Sequence, residues 1–240
     1  EKGSLVALDA KSGEERWRAG SDEAAYSSPM LRTSGKEEIL VFNGFGLVSH
    51  RLSDGAELKK YQHKTRYGIN ATQPIDLGPS VLVSSAYGKG SALVDLERRR
   101  PRALWESSFF SCQMASLVSS GDYAYGIEGQ AGGREDQARL FCLEIKKGKK
   151  RWEKKGFGLG TVLLVENRLV ILSDRGELTL AEANHYNFRE LARFQILSGK
   201  ENWTPPTYAN GRMHCRSSQG KWVCLKMGIQ SAVIQGEGAD

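Results

Sequence analysis

The side chains that most often perform chemistry are present in this sequence, but their spacing matches no common catalytic or metal site. The four histidines and four cysteines occur without the Cys-x-x-Cys or Cys/His spacing of a zinc centre. A serine-nucleophile motif, Gly-x-Ser-x-Gly, is absent. The carboxylates of Glu14-Glu15 and Glu37-Glu38 are adjacent, and neighbours in a strand point to opposite faces. The residues therefore indicate no catalytic group and no metal site.

A second set of residues has the types and spacing of a binding surface. Aromatic side chains recur at intervals of 41 to 47 residues, each shortly before a predicted strand: Tyr26, Tyr67, Phe110, Phe157 and Trp203. Equivalent positions in successive repeats lie around one opening, where aromatic rings with a few polar groups can hold a ligand or a peptide. We therefore predict a site for a ligand or partner that consists of Tyr26, Arg66, Tyr67, Asn70, Asn202 and Trp203.

The alternative is that these rings wedge between neighbouring repeats and only close the hydrophobic core. That interpretation is preferred for Phe110 and Phe157. Both interpretations stay open for Tyr26, Tyr67 and Trp203.

Two cysteines have a spacing that allows a cross-strand disulfide. If Gln219 and Gly220 form a two-residue hairpin turn, counting outward places Cys215 opposite Cys224. A disulfide would form there in an oxidising compartment. Two neighbouring buried thiols are the alternative, because free cysteine serves as a small buried hydrophobe.

All these residues belong to a repeated sequence unit. Residues 5–17 read as strand, turn and strand, and the unit returns at 141–152 and, in weaker form, near positions 48, 92 and 223. A repeat of roughly 40–50 residues with four short strands predicts the blades of a β-propeller. The predicted fold class is therefore all-β, a propeller of four-stranded antiparallel blades. The tryptophans of the unit become structural residues of the outermost strands: Trp17, Trp105 and Trp152.

Prolines set the phase of the repeat. Pro29, Pro74 and Pro205-Pro206 begin one strand of each unit, and proline cannot donate to a ladder, so this strand is assigned to the inner edge. The assignment predicts a propeller over 1–227 and a flexible tail over 228–240. Its blades are placed at 27–62, 71–107, 113–155 and 160–196, with a partial blade at 202–227 and a strand pair at 4–19.

The chain is long enough for about five blades, and its two ends do not complete one blade together. We therefore predict that it is part of a larger ring of up to eight blades. Its incomplete blade edges would offer surfaces for association.

Charge and hydropathy exclude some classes of function. The net charge is +6, and much of it lies in the runs at 98–102 and 146–155. Both runs fall on turns and outer strands, where lysine and arginine prevent edge-to-edge pairing. We therefore predict no nucleic-acid partner, and an anion-binding surface is the weaker alternative. No window approaches 18 consecutive apolar residues, so no transmembrane segment is predicted.

The unit that ends at Trp17 resembles the repeat of pyrroloquinoline-quinone-type propellers, a group that includes quinoprotein alcohol dehydrogenases and an outer-membrane assembly lipoprotein. Tyr26-Ser-Ser-Pro29, Tyr67-Gly-Ile-Asn70 and Trp203-Thr-Pro-Pro206 resemble the non-enzymatic bacterial branch. The resemblance implies a non-catalytic scaffold without a cofactor, which binds a protein or peptide and is periplasmic or secreted in a bacterium.

The alternative is a fragment of a dehydrogenase that uses pyrroloquinoline quinone with calcium. The enzymes of this group hold the quinone against a vicinal Cys-Cys disulfide, and this sequence contains no Cys-Cys pair.

Overall fold

The computed structural model describes residues 3–32, 37–133 and 137–227, and these residues are almost entirely β-structure. Within those ranges, the strands form six antiparallel sheets in chain order. Sheet I consists of β1 (Leu5–Leu8) and β2 (Glu15–Ala19). Sheet II consists of β3 (Met30–Leu31), β4 (Glu38–Phe42), β5 (Gly46–Arg51) and β6 (Glu57–Gln62). Sheet III consists of β7 (Ile75–Asp76), β8 (Ser80–Ser85), β9 (Gly90–Asp95) and β10 (Arg102–Ser107).

The remaining sheets continue this pattern towards the C-terminus. Sheet IV consists of β11 (Val118–Ser120), β12 (Tyr123–Glu128), β13 (Arg139–Glu144) and β14 (Lys149–Lys154). Sheet V consists of β15 (Thr161–Val165), β16 (Arg168–Leu172), β17 (Glu177–Glu182) and β18 (Glu190–Gln195). Sheet VI consists of β19 (Thr207–Ala209), β20 (Arg212–Arg216) and β21 (Trp222–Lys226). The predicted tail, 228–240, lies outside the described residues.

Each sheet is a meander whose first strand lies at one edge. Strands β3 and β7, which follow Pro29 and Pro74, are only two residues long. Because proline has no backbone N–H, a short edge strand is the place where it removes no ladder bond. The sheets together make a partial, unclosed β-propeller, and the predicted fold class is confirmed.

The hydrophobic core is divided into layers, each of which lies between two neighbouring sheets. Val81 and Val83 of β8 pack against residues of sheet II, whereas Leu82 packs against residues of sheet IV. Successive side chains of a strand point to opposite faces, so a strand between two sheets needs apolar residues at every position. Equivalent layers join sheets IV and V and sheets V and VI.

The tryptophans of the repeat connect each outer strand to the next sheet. The indole Nε1 of Trp17 donates to the Leu52 carbonyl at 3.0 Å, and that of Trp105 donates to the Ile145 carbonyl at 2.7 Å. Trp152 donates in the same way to the Asn184 carbonyl at 2.7 Å. Every acceptor lies in the turn after the third strand of the following sheet.

A β-bulge sets the direction of these side chains. Sheets II to V each have a register shift between the third and fourth strands, and sheet I has one between its two strands. The tryptophans of sheets I, III and IV come directly after this shift. A bulge bends the strand and increases its twist, which turns the following side chain towards the neighbouring sheet.

Sheet II has a lysine at the position that tryptophan occupies in other sheets. Lys59 follows the bulge of β6, and its Nζ donates to the Leu96 carbonyl of the turn in sheet III. The donor to the next sheet is therefore retained although the indole is absent. In sheet V the same position is Ala192, which has no side-chain donor.

Candidate functional site

The two ends of the sheets present different kinds of surface. The loops between sheets and the turns between second and third strands lie at one end, which we call the loop face. The turns that follow the first and third strands lie at the other end, which we call the turn face. Every aromatic residue of the predicted binding site belongs to a loop of the loop face.

Two tyrosines of the loop face pack against each other. Tyr67, in the loop between sheets II and III, is 57% exposed. Its ring meets the ring of Tyr87 edge to face, with 5.0 Å between the centroids and an angle of 81° between the planes. The guanidinium carbon of Arg66 lies 5.3 Å from the Tyr67 centroid. A cation over a ring and an edge-to-face pair are both favourable arrangements of the aromatic quadrupole.

Two glutamines hold Tyr87 in place, Gln113 from the loop before sheet IV and Gln130 from the turn between β12 and β13. The backbone N–H of Tyr87 donates to the Gln130 side chain at 3.0 Å, and the Gln113 amide donates to the Tyr87 hydroxyl at 2.8 Å. The Gln113 carbonyl oxygen accepts a bond from the N–H of Ala131 at 2.7 Å. Tyr87 has a φ of 58°, a backbone conformation that is uncommon for a bulky residue and is maintained here by these bonds.

A cleft of about 300 Å³ lies beside this pair, and Gln130 belongs to its wall. Ser111 and Glu128 supply further polar groups to the lining. The Glu128 carboxylate accepts a bond from the N–H of Phe110 at 3.3 Å, and the Ser111 hydroxyl donates to the Ser85 carbonyl at 2.9 Å. The cleft therefore offers hydrogen-bond acceptors near the exposed Tyr67 and the half-buried Tyr87.

The structure gives the predicted site residues several different environments. Tyr26 is 74% exposed, and its N–H donates to the Asn70 carbonyl at 3.2 Å, which places it beside the loop of Tyr67. Trp203 is half-buried and packs against the core between sheets IV and V. Phe110 and Phe157 are buried, as the wedging interpretation predicts.

The two predicted asparagines are fully buried, which corrects their assignment as ligand contacts. The Asn70 amide donates to the carbonyls of Asn43 at 2.7 Å and His63 at 3.1 Å, and its oxygen accepts from Ser85 at 2.6 Å. The Asn202 amide donates to the Asp174 carbonyl at 2.9 Å. A side-chain amide can satisfy several backbone groups at once, so these residues fasten loops to the sheets.

The candidate site consists of Arg66 and Tyr67, which are exposed, and of Tyr87, Gln113 and Gln130, which are half-buried. Sequence reasoning missed Tyr87 and both glutamines, because they come from turns and loops that the repeat pattern treats only as connections. One signal was available: Ala86-Tyr-Gly-Lys-Gly90 places a large aromatic residue in a tight turn, where small residues are usual.

A buried histidine lies under the loop face between sheets II and III. The His63 ring is 5.6 Å from the Phe42 ring and 6.4 Å from the Tyr61 ring, measured between centroids. Burial, and then the nearby charge of Lys89, lower the pKa of His63 to about 4. His63 is therefore a neutral structural residue at physiological pH.

The hairpin of sheet VI differs from the predicted one by a single residue. Cys215 pairs with Val223 and Cys224 pairs with His214, so the predicted register is wrong and the two thiols point to opposite faces of the sheet. The reason is the turn, which runs from Ser217 to Lys221 and is closed by their backbone bond at 2.8 Å. Both cysteines are free thiols, Cys215 buried and Cys224 exposed.

The dehydrogenase alternative requires a calcium site beside the quinone. Within residues 3–32, 37–133 and 137–227, no three His, Cys, Asp or Glu side chains converge. A calcium ion takes six to eight oxygen ligands, most of them carboxylates and carbonyls. The side chains around Tyr67 and Tyr87 instead offer aromatic faces, amides and one guanidinium.

The meander sheets, the layered core and the repeated tryptophan contacts define a β-propeller of the quinone-repeat type. Residues 1–154 match the family of the outer membrane protein assembly factor BamB, and the chain belongs to this family. The predicted resemblance is therefore confirmed. No sequence among the curated proteins matches the chain.

Solved structures show the same fold at low sequence identity. BamB from Moraxella catarrhalis is 15% identical, with 92% of this chain and 78% of that chain covered and a TM-score of 0.50. Sqt1 from Saccharomyces cerevisiae is 11% identical, with coverages of 92% and 65% and a TM-score of 0.65. The Cps50 (Swd1) β-propeller domain from Myceliophteria thermophila is 14% identical, with coverages of 92% and 79% and a TM-score of 0.56.

At these identities the solved structures are similar in fold alone. Among the described residues, no helix is long and apolar enough to cross a membrane.

Proposed function

We propose that this protein is a non-catalytic scaffold of outer-membrane protein assembly, which works in the bacterial periplasm and binds a protein partner on its loop face. The observation that carries the proposal is the exposed Tyr67 ring, ordered against Tyr87 beside a polar cleft. Membership in the BamB family supports the scaffold role and the compartment. The proposed activity requires no cofactor.

The chemistry of the site favours an extended segment of a partner protein. Tyrosine and arginine contribute much of the binding energy at protein interfaces, because they bury a large area and also form hydrogen bonds. Tyr87 is fixed by Gln113 and Gln130, so little side-chain entropy is lost when a partner covers it. Arg66 suits a carboxylate on the partner, and the cleft wall at Glu128 suits a hydrogen-bond donor.

Site-specific crosslinking tests where the partner binds. A photoreactive amino acid at Tyr67 should capture a component of the outer-membrane assembly machinery in living cells. The same amino acid at Tyr208, which is exposed on sheet VI, is the control and should not capture it. Equal capture from both positions would contradict a site on the loop face.

Binding of the captured partner to purified protein gives the energetic test. Tyr67→Ala should weaken this binding about 30-fold, the effect of losing roughly 2 kcal/mol at an interface hot spot. Its melting temperature should stay close to that of the wild type, because the ring is exposed. Unchanged affinity in Tyr67→Ala would remove the aromatic pair from the interface.

Thermal unfolding with pyrroloquinoline quinone and calcium tests the non-catalytic part of the proposal. A ligand at 100 times its dissociation constant would stabilise the folded protein by about 2.7 kcal/mol, a visible shift in melting temperature. We expect no shift. A clear shift that requires both quinone and calcium would favour the dehydrogenase alternative.

A further inference from the structure

The net charge of the protein is concentrated on the turn face of two neighbouring sheets. Two turns with the strand ends that flank them, residues 95–102 and 144–151, carry nine basic and four acidic side chains when Asp122 is included, which leaves five of the six net positive charges there. Arg99 and Arg100 are exposed, and neither has an ion-pair partner among the described residues. The acidic groups are shared, since Glu144 lies 2.6 Å from the Lys147 ammonium and 3.6 Å from the Arg151 guanidinium.

Trp105 brings the two basic turns together. It follows the first turn by three residues, its indole donates to the Ile145 carbonyl in the second turn, and its ring covers Gly148. The basic side chains of sheets III and IV therefore form one continuous surface. Protection of strand edges does not explain the whole of it, because Arg99 and Arg100 lie in the turn, outside the β10 edge.

A stack of aromatic rings continues this surface into sheet V. Tyr123 follows Asp122, whose carboxylate lies 3.2 Å from the Lys146 ammonium. The Tyr123 and His185 rings are parallel within 2°, with 4.2 Å between their centroids. The centroid of the Tyr186 ring is 4.0 Å from that of His185, and the two rings are tilted by 36°. Tyr186 is 77% exposed. We call the two basic turns and this stack the basic-aromatic band.

We propose that the basic-aromatic band binds the surface of a membrane that contains anionic lipid. Lysine and arginine are attracted to phospholipid phosphates, and tyrosine partitions into the interface between headgroups and acyl chains. The turn face also exposes leucines at the ends of strands and in turns: Leu8, Leu31 and Leu52. Exposed leucines gain free energy in a lipid interface and gain little against a nucleic-acid backbone, so the observations favour the membrane.

The location of the band gives the scaffold an orientation. The band lies on the turn face and the tyrosine pair on the loop face, at opposite ends of the same strands. A protein held to a membrane by the band would direct Tyr67 and Tyr87 away from the lipid, towards a partner. The choice of a membrane agrees with the proposed function, but lipid binding can be measured without any protein partner.

Sedimentation with lipid vesicles tests the proposal on the purified chain. The wild type should bind vesicles of phosphatidylcholine and phosphatidylglycerol, and high salt should weaken this binding. It should not bind vesicles of pure phosphatidylcholine. The triple variant Arg99→Gln, Arg100→Gln and Lys149→Gln should bind about 100-fold more weakly, because each basic side chain near an anionic surface contributes roughly fivefold. Tyr186→Ala should weaken binding while Tyr186→Phe should retain it.

A matched control removes the same charge from the loop face. The variant Lys64→Gln, Lys155→Gln and Lys200→Gln should bind vesicles nearly as well as the wild type. An equal loss in both triple variants would overturn the proposal, because net charge alone would then explain the binding. Absence of vesicle binding, or preferential binding of a single-stranded DNA oligonucleotide that the band variant abolishes, would also overturn it. Tyr67→Ala, which tests the partner site, should leave vesicle binding unchanged.

Discussion

Removal of the Trp105 indole should destabilise the protein through the contact between sheets III and IV. The indole loses its 2.7 Å bond to the Ile145 carbonyl and its packing over Gly148. Replacement of a buried tryptophan by alanine costs about 3–5 kcal/mol, and half-burial of this side chain favours the lower end of that range. We therefore expect Trp105→Ala to lower the free energy of unfolding by about 3 kcal/mol. Trp222→Ala, at an exposed indole of sheet VI, is the control and should cost less than about 1 kcal/mol.

Gly148→Ala shows whether the effect arises at this contact. Gly148 has a φ of 62°, and an added Cβ would stand 2.7 Å from the Trp105 ring. Alanine there should cost about 1–2 kcal/mol of backbone strain, and the clash adds to this. In the Trp105→Ala background only the strain remains. The double variant should therefore be more stable than the sum of the single effects predicts, by about 1 kcal/mol.

Urea unfolding followed by far-ultraviolet circular dichroism measures the free energy of unfolding of the wild type and the four variants. An unchanged dependence of this free energy on urea concentration shows that all of them unfold in the same way. Additive effects within about 0.5 kcal/mol would refute the inter-sheet contact as the cause of the loss. Wild-type stability in Trp105→Ala would refute the assignment of the repeated tryptophans as structural residues.

Two further predictions concern titratable groups. The pKa of His63 is lowered from 6.5 to about 4 in the folded protein, so its contribution to stability is complete above about pH 6.5 and is lost as the pH falls towards 4. Between pH 7 and pH 5 the loss should be about 2 kcal/mol in urea unfolding, and a His63→Phe variant that shows the same loss would contradict this origin. Cys224 is exposed, whereas burial raises the pKa of the other three thiols, to about 12 for Cys112 and Cys142 and to about 11 for Cys215. A thiol reagent should therefore label one cysteine rapidly in the native protein and none in Cys224→Ser, and rapid labelling of two would disagree with the register of sheet VI.

The candidate site shows the limit of reasoning from a repeat. The periodic aromatics all lie in loops at one end of the sheets, but the repeat could not separate exposed rings from buried ones. Tyr67 and Phe110 occupy similar places in their units, and only the packing of neighbouring sheets leaves the first exposed and the second inside. Tyr87 lies in the turn between β8 and β9, away from the repeated aromatic position, and no local sequence pattern predicts that its ring meets the ring of Tyr67.

The predicted register of sheet VI was wrong for a related reason. Gln219-Gly220 is a plausible two-residue turn, yet the chain uses a longer one from Ser217 to Lys221. A difference of one residue reverses the face of every side chain in a strand, so a small local choice decided whether Cys215 and Cys224 could meet.

The sequence by itself determined the strands, the repeat and the fold class. These features follow from signals that span only a few residues: alternation, apolar runs, prolines and the tryptophans Trp17, Trp105 and Trp152. Such signals set the backbone conformation locally, so they can be recognised without knowing how the sheets pack. The tertiary structure alone decided the bulges, the use of Lys59 in place of an indole, and the burial of Asn70 and Asn202. These depend on where one sheet lies against the next, and that geometry arises only when the layers of the core pack together.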